Sequence, residues 1–299
     1  MAQPGLLFGV GATKAGTSWL YRALADHPEA RLPTVKEAHY WDSFAPEARA
    51  HQAKVFRRQR AAFARQQAQF AEVGNARRAD NFRQRGEDMD ALIEVIEGPR
   101  DDDSAYRDWL LRDAGGARLV ADLTPAYGLL PEPMLERMLA TAEDAKVIYL
   151  VRDPLARLWS HVRMLAERRL GEGETLEAKA NMILSRIVRQ GGEQHVTARG
   201  DYAATVARLR RVVPRERLMV AFCEEMFTPA GWEAICAFLG LTPAPAALGR
   251  RVHEGPRAEM REDLVAPALD LLGPQYEWVA EHVGPLPARW QANLAKVTA

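Results

Sequence analysis

The chain has 299 residues, 47% of them apolar and 27% charged, with 40 Lys or Arg against 40 Asp or Glu. A formal net charge of zero removes any bulk electrostatic case for nucleic-acid or membrane-surface binding, leaving only local basic pockets. The two cysteines, Cys223 and Cys236, are too few and too far apart for a disulfide framework or a Cys-x-x-Cys metal site, and they fit a reducing compartment.

Met1-Ala2-Gln3-Pro4-Gly5 holds no basic run. The apolar stretch from Leu6 to Val10 is too short for a signal-peptide core or a membrane span, so a cytoplasmic chain is expected. Closed by glycines, Leu6 to Val10 reads as a buried strand of a parallel sheet. Thr17 to Ala25 reads as a helix with Trp19, Leu20, Ala23 and Leu24 on one face and His27-Pro28 as its stop. Residues 45–115 or so are rich in Ala, Gln and Arg, with helical spacing in Val55, Phe56, Phe63 and Phe70 and again in Leu92, Ile93 and Ile96. They read as a helical insertion or flap within one domain spanning 1–299. Asp101-Asp102-Asp103-Ser104 is the expected cap of a helix carrying Tyr106, Trp109 and Leu110.

Strand-like runs return at Arg118–Leu123, Lys146–Val151 and Leu218–Phe222. Between them lie helical stretches at Pro131–Ala142, Leu155–Arg169 and Tyr202–Val213. Trp232–Leu239 reads as a further helix ended by Gly240, and Leu264–Val283 as one broken near Gly273-Pro274. Apolar strands alternating with amphipathic helices predict an α/β fold, a doubly wound parallel sheet flanked by helices.

Gly11-Ala12-Thr13-Lys14-Ala15-Gly16-Thr17-Ser18 joins the first predicted strand to the first predicted helix, where backbone N–H groups and a helix N-terminus cradle an anion. The glycines have the G-x-x-x-x-G spacing of a nucleoside-triphosphate loop, but Thr17 replaces its lysine and Lys14 sits inside the loop. What is missing is the arrangement that holds a γ-phosphate and its Mg²⁺, which points to a 5′-phosphate derivative other than a triphosphate. The competing reading is a glycine-rich turn that merely packs a helix against a strand. A second constellation is Arg152-Asp153-Pro154 followed by Ser160, at the carboxyl end of the strand Lys146–Val151, where open α/β sheets bind ligands. A guanidinium fork and a hydroxyl there suit a second phosphate, although Arg152 has the alternatives of pairing with Asp153 or capping a neighbouring helix.

Together these motifs resemble the sulfotransferases that use 3′-phosphoadenosine 5′-phosphosulfate (PAPS), a family with a P-loop-type α/β fold. Lys14-Ala15-Gly16-Thr17-Ser18 looks like their 5′-phosphosulfate loop, and Arg152 to Ser160 is similar to their 3′-phosphate motif. Lys36-Glu37-Ala38-His39-Tyr40-Trp41-Asp42 looks like the acidic segment that carries the catalytic glutamate in the heparan-sulfate type. Asp122-Leu123-Thr124-Pro125-Ala126-Tyr127 resembles their Lys-Thr-Pro-x-Tyr segment, Phe238-Leu239-Gly240-Leu241 a late helix end, and Gly255-Pro256-Arg257-Ala258 the basic loop over the nucleotide. Two departures stand out. Leu123 occupies the place of a lysine near the reacting centre, and the loop near Arg257 is shortened with Pro256 inserted.

The resemblance implies sulfuryl transfer from PAPS to a hydroxyl or amine of a small-molecule or carbohydrate acceptor. It puts Lys14 and the loop amides on the leaving group, Thr17 and Ser18 on the 5′-phosphate, and Arg152, Ser160 and Arg257 on the far end of the nucleotide. On the resemblance, Glu37 is the expected base and His39 the second choice, and residues two apart in an extended segment face one side, so both are expected to face one cleft. Tyr40, Trp41 and Tyr127 are candidate walls of the acceptor site. No metal, no nucleic acid and no membrane span is expected, and the sequence leaves acceptor identity and oligomeric state open. The alternatives are a P-loop kinase with Asp153 on its magnesium side and a non-catalytic nucleotide-binding protein.

Overall fold

The structure is a computed structural model that describes residues 3–246, 248 and 257–297. Five strands, β1 (Gly5–Gly11), β2 (Ala30–Arg31), β3 (Leu119–Asp122), β4 (Lys146–Val151) and β5 (Leu218–Phe222), form one sheet in the order β2-β3-β1-β4-β5. Every pairing is parallel. Strand β1 is apolar along its length because it lies at the centre, covered on both faces. After β1 the chain first builds outward through β2 and β3, then crosses to the other side for β4 and β5. That reversal leaves a crevice between the carboxyl ends of β1 and β4, the usual ligand position of such sheets.

Helix α1 (Thr17–Ala25) follows β1 with the predicted bounds. Helices α2 (Pro46–Glu72) and α3 (Ala76–Glu97) make a long antiparallel hairpin turning at Gly74, whose φ is 71°. Antiparallel packing is fixed by contacts that run in opposite directions along the two helices: Arg57 pairs with Glu97, Arg60 with Asp90, and Phe70 stacks on Phe82. Helix α4 (Ser104–Leu111) starts as expected, just after the acidic cluster. Asp102, not Asp103, accepts from the Ser104 N–H at 3.0 Å, while the Asp103 carboxylate holds Tyr40 and Arg137.

The remaining helices are α5 (Glu132–Leu139), α6 (Pro154–Arg168), α7 (Leu176–Gln190), α8 (Gln194–Ala198), α9 (Tyr202–Val212), α10 (Cys223–Met226), α11 (Pro229–Leu239), α12 (Val265–His282) and α13 (Ala288–Val297). The expected break at Gly273-Pro274 does not occur: α12 runs through Pro274. Buried Leu269, Leu272, Tyr276 and Val279 line one face on both sides of that proline, and their packing outweighs the lost hydrogen bond. No helix among the described residues is long and apolar enough to cross a membrane.

Candidate active site

The loop after β1 is anchored to the neighbouring strand end, with Ala12 N–H donating to Leu150 O at 2.8 Å. Lys14 and Gly16 both adopt left-handed backbone, φ 70° and 88°, which turns the loop back into α1. Only glycine fits the second position, because a Cβ on Gly16 would meet Cys223 Sγ and Met226 Cε of α10, each at 2.8 Å. Gly16 occupies the capping position of α1, and no side chain bonds the first-turn N–H groups there. Those donors and the positive end of the helix dipole face the crevice, beside the hydroxyls of buried Thr17 and half-buried Ser18. Lys14 is half-buried. Burial, then the charges of Arg152, Arg163 and Arg168, push its ammonium pKa below the lysine range, with Glu37 acting the other way. Three arginines thus act on the Lys14 ammonium through space, and one carboxylate opposes them.

Arg152, at the end of β4, neither pairs with Asp153 nor caps a helix: its Nη1 donates to Lys14 O at 2.8 Å. Asp153 is buried and fully used. It caps α6 through Ala156 N–H at 2.7 Å, and its other oxygen accepts from Tyr276 and Asn293 at 3.2 and 2.9 Å. A carboxylate spent on anchoring α6 to α12 and α13 is not free for the magnesium-side role that the kinase reading gives it. Ser160 is half-buried two turns into α6. Arg257 is exposed, and the next residue, Ala258, accepts at its carbonyl from Trp159 Nε1 at 3.2 Å, bringing that segment onto α6 beside Ser160. Gly255 and Pro256 lie outside the described residues.

The segment with Glu37 and His39 is not extended. Both residues have left-handed backbone, φ 65° and 49°, and that bend brings His39 Nε2 to 3.7 Å from Glu37 Oε2. Lys36 grips the other Glu37 oxygen, and Asp42 Oδ2 holds His39 Nδ1 at 2.9 Å. Burial would raise the Glu37 carboxyl, but His39 and the Lys36 ammonium outweigh it and hold the pKa at about 2. Burial would likewise lower His39, but Asp42 and Glu37 hold it up to about 9. At neutral pH the pair is carboxylate and imidazolium, so Glu37 is the group with a lone pair to receive a proton and His39 is not.

Tyr40, Trp41 and Tyr127 are fully buried in a core cluster, so they do not wall an acceptor cleft. Tyr40 stacks on Tyr106 with ring centroids 4.4 Å apart. Tyr127 donates to Asp122 at 2.8 Å and accepts from the Tyr40 N–H at 3.0 Å, fixing the bend that carries Glu37. Leu123 packs against Gly9 of β1, where a Cβ would come within 2.7 Å of Leu123 Cγ.

The model of a family described as "Sulfotransferase family" matches residues 4–245. The chain belongs to the sulfotransferase family. Among solved structures, the sulfotransferase from Alicyclobacillus acidocaldarius has 23% identity and a TM-score of 0.59, with 97% of this chain and 100% of that chain covered. The sulfotransferase domain from the curacin biosynthetic pathway has 20% identity and a TM-score of 0.47, covering 89% of this chain and 78% of that one. The sulfotransferase domain from the Synechococcus PCC 7002 olefin synthase has 17% identity and a TM-score of 0.46, covering 99% and 93%. The first of these shares the fold. No curated protein matches.

For a sulfotransferase, three groups were not singled out from the sequence. Asp42 orients His39, and its i,i+3 spacing from that histidine was the available signal. Arg163 and Arg168 add positive charge near Lys14. Arg163 follows Ser160 by three residues on α6, hence on the same face, a spacing legible once Ser160 is chosen. Among the described residues no group of three or more His, Cys, Asp or Glu is disposed to hold a metal.

Proposed function

We propose that this sulfotransferase takes its sulfuryl group from PAPS and passes it to a hydroxyl or amine of a small-molecule or carbohydrate acceptor, with Glu37 as base. The observation that carries this reading is the set of cations at the ends of β1 and β4, with Glu37 the carboxylate that acts on Lys14. A doubly phosphorylated nucleotide suits that set: Lys14, Ala15, Gly16, Thr17 and Ser18 would hold the 5′ end, and Arg152, Ser160 and Arg257 the 3′-phosphate.

When bound, the donor supplies a sulfuryl group on a phosphate leaving group. The old S–O bond breaks as a new one forms to the acceptor oxygen or nitrogen, and the acceptor proton passes to Glu37. Lys14 and the uncapped N–H groups of α1 offset the charge that grows on the leaving phosphate. A carboxylate of low pKa suffices, because the acceptor becomes strongly acidic only as its bond to sulfur forms. The His39 imidazolium orients Glu37 from one side, and Asp42 keeps that histidine in place.

The test is an acceptor screen with radiolabelled PAPS, read by mass spectrometry. A product heavier by one sulfuryl group, lost in Glu37→Gln, supports the reading. Binding of ATP·Mg²⁺ tighter than of 3′-phosphoadenosine 5′-phosphate would overturn it.

A further inference from the structure

The zero net charge of the chain conceals a separation. From Lys54 to Arg85, the projecting part of the α2–α3 hairpin, there are nine Lys or Arg and only two acidic residues, Glu72 and Asp80. The rest of the chain holds 31 basic and 38 acidic residues. Some of the hairpin charge is neutralised internally: Arg57 by Glu97, Arg60 by Asp90, and Arg83 by Asp80 and Glu87. Arg22, Arg77, Arg78 and Arg85 have no such ion pair among the described residues, and all four line one open cleft of about 810 Å³ between the hairpin and α1. The rest of its lining is the stacked rings of Phe70 and Phe82, whose centroids are 5.6 Å apart, the amides of Gln66, Asn75, Asn81 and Gln84, and one carboxylate, Asp80, which is paired with Arg83. Arg78 and Arg85 lie over those rings, which holds their guanidinium groups in place without discharging them.

The cleft adjoins the segment that carries Glu37. On the α1 side, Tyr21 donates to Pro33 O at 2.6 Å. On the α3 side, Asp88 accepts from the Thr34 N–H at 2.9 Å, and Arg85 lies one turn earlier on that helix, about 4.5 Å along its axis. The chain that leads to Glu37 therefore starts between the two walls of the cleft.

We propose that this cleft binds the anionic end of the acceptor, a molecule that carries sulfate or carboxylate groups away from the position that receives the sulfuryl group. Guanidinium forks match such oxyanions, the amides suit hydroxyls, and the ring platform covers apolar faces. An extended polyanion such as a nucleic acid or a membrane surface is disfavoured, because the acidic remainder of the chain repels it. The inference rests on the sulfotransferase reading of the site, and binding alone tests it.

The experiment titrates a disulfated disaccharide, its unsulfated parent and a tetraglutamate peptide into the whole chain at physiological ionic strength. It is repeated with Arg77→Gln/Arg78→Gln and with Lys14→Ala. The disulfated probe is expected to bind at least tenfold tighter than its parent, to lose about tenfold in the double variant, and to be unaffected by Lys14→Ala. Absence of binding, or binding indifferent to the double variant, overturns the proposal. So does loss only in Lys14→Ala, which places the probe in the donor crevice. Tighter binding of tetraglutamate overturns it in favour of a protein partner. Binding of 3′-phosphoadenosine 5′-phosphate, measured in parallel, reports on the donor site whatever the cleft does.

Discussion

The guanidinium of Arg152 donates to the carbonyl of Lys14 at 2.8 Å, tying the loop after β1 to the end of β4 across 138 positions of sequence. One side chain thus does two things: it holds the left-handed backbone at Lys14, and it adds its charge to the crevice. Arg152→Gln removes the charge, and the binding of 3′-phosphoadenosine 5′-phosphate is expected to weaken roughly 10- to 100-fold, the worth of one charge-assisted contact. Arg152→Lys restores charge without the fork and recovers only part of the loss. Calorimetric titration of the three proteins checks the order.

Glu37→Gln keeps the shape of the bend and removes the proposed base. Turnover is expected to fall by about 10²- to 10⁴-fold while nucleotide binding stays nearly intact. Single-turnover measurements beside a binding titration separate the two effects. Near-normal turnover would move the base elsewhere.

The pH profile distinguishes Glu37 from His39. A base held at about 2 is ionised across the whole accessible range, so kcat/KM is expected to be flat from weakly acidic to neutral pH. Were neutral His39 the base, the rate would climb as pH rises through about 9. Stability carries the opposite sign for the histidine. Its folded pKa is raised from 6.5, so its contribution is complete below 6.5 and disappears as pH rises through about 9. Glu37 is depressed from 4.5, so its contribution is complete above 4.5 and disappears as pH falls towards about 2. Thermal melts across that range, on the wild type and on His39→Ala, check the first window.

Gly16→Ala forces a methyl against Cys223 Sγ and Met226 Cε while demanding φ 88° of an alanine. The left-handed backbone alone costs about 1–2 kcal/mol. A melting temperature lower by several degrees and loss of nucleotide binding are expected together, because the same glycine ends the loop and begins α1.

Tyr127→Phe leaves the buried Tyr40 N–H without its acceptor and Asp122 without one donor. A loss of about 1–3 kcal/mol in unfolding free energy is expected for such an unpaired buried group, read by denaturant titration. A loss of kcat larger than that of nucleotide affinity would locate the damage at the Glu37 bend.

Local features were legible where local physics sets them. Strand β4 and helix α1 follow from unbroken apolar runs and a helical face, and the anion loop from its glycine spacing and its place between strand and helix. Features set by packing were not. Tyr40 and Trp41 read as cleft aromatics because nothing in the sequence says that Tyr106, Arg100 and Asp103 close over them. Pro274 read as a helix end because its cost is local and the compensating face of α12 is not.

By itself, then, the sequence determined the alternation of strand and helix, an anion loop with a displaced lysine, and the pairing of that loop with Arg152 as one family's motifs. Only the tertiary structure decided what each charged group does. It turned Arg152 to a carbonyl, Asp153 to a cap, and Glu37 towards His39 by a bend in place of an extended strand. The physical reason is that a side chain's protonation and partners depend on burial and on charges brought close by folding, and neither quantity has a local signature in sequence.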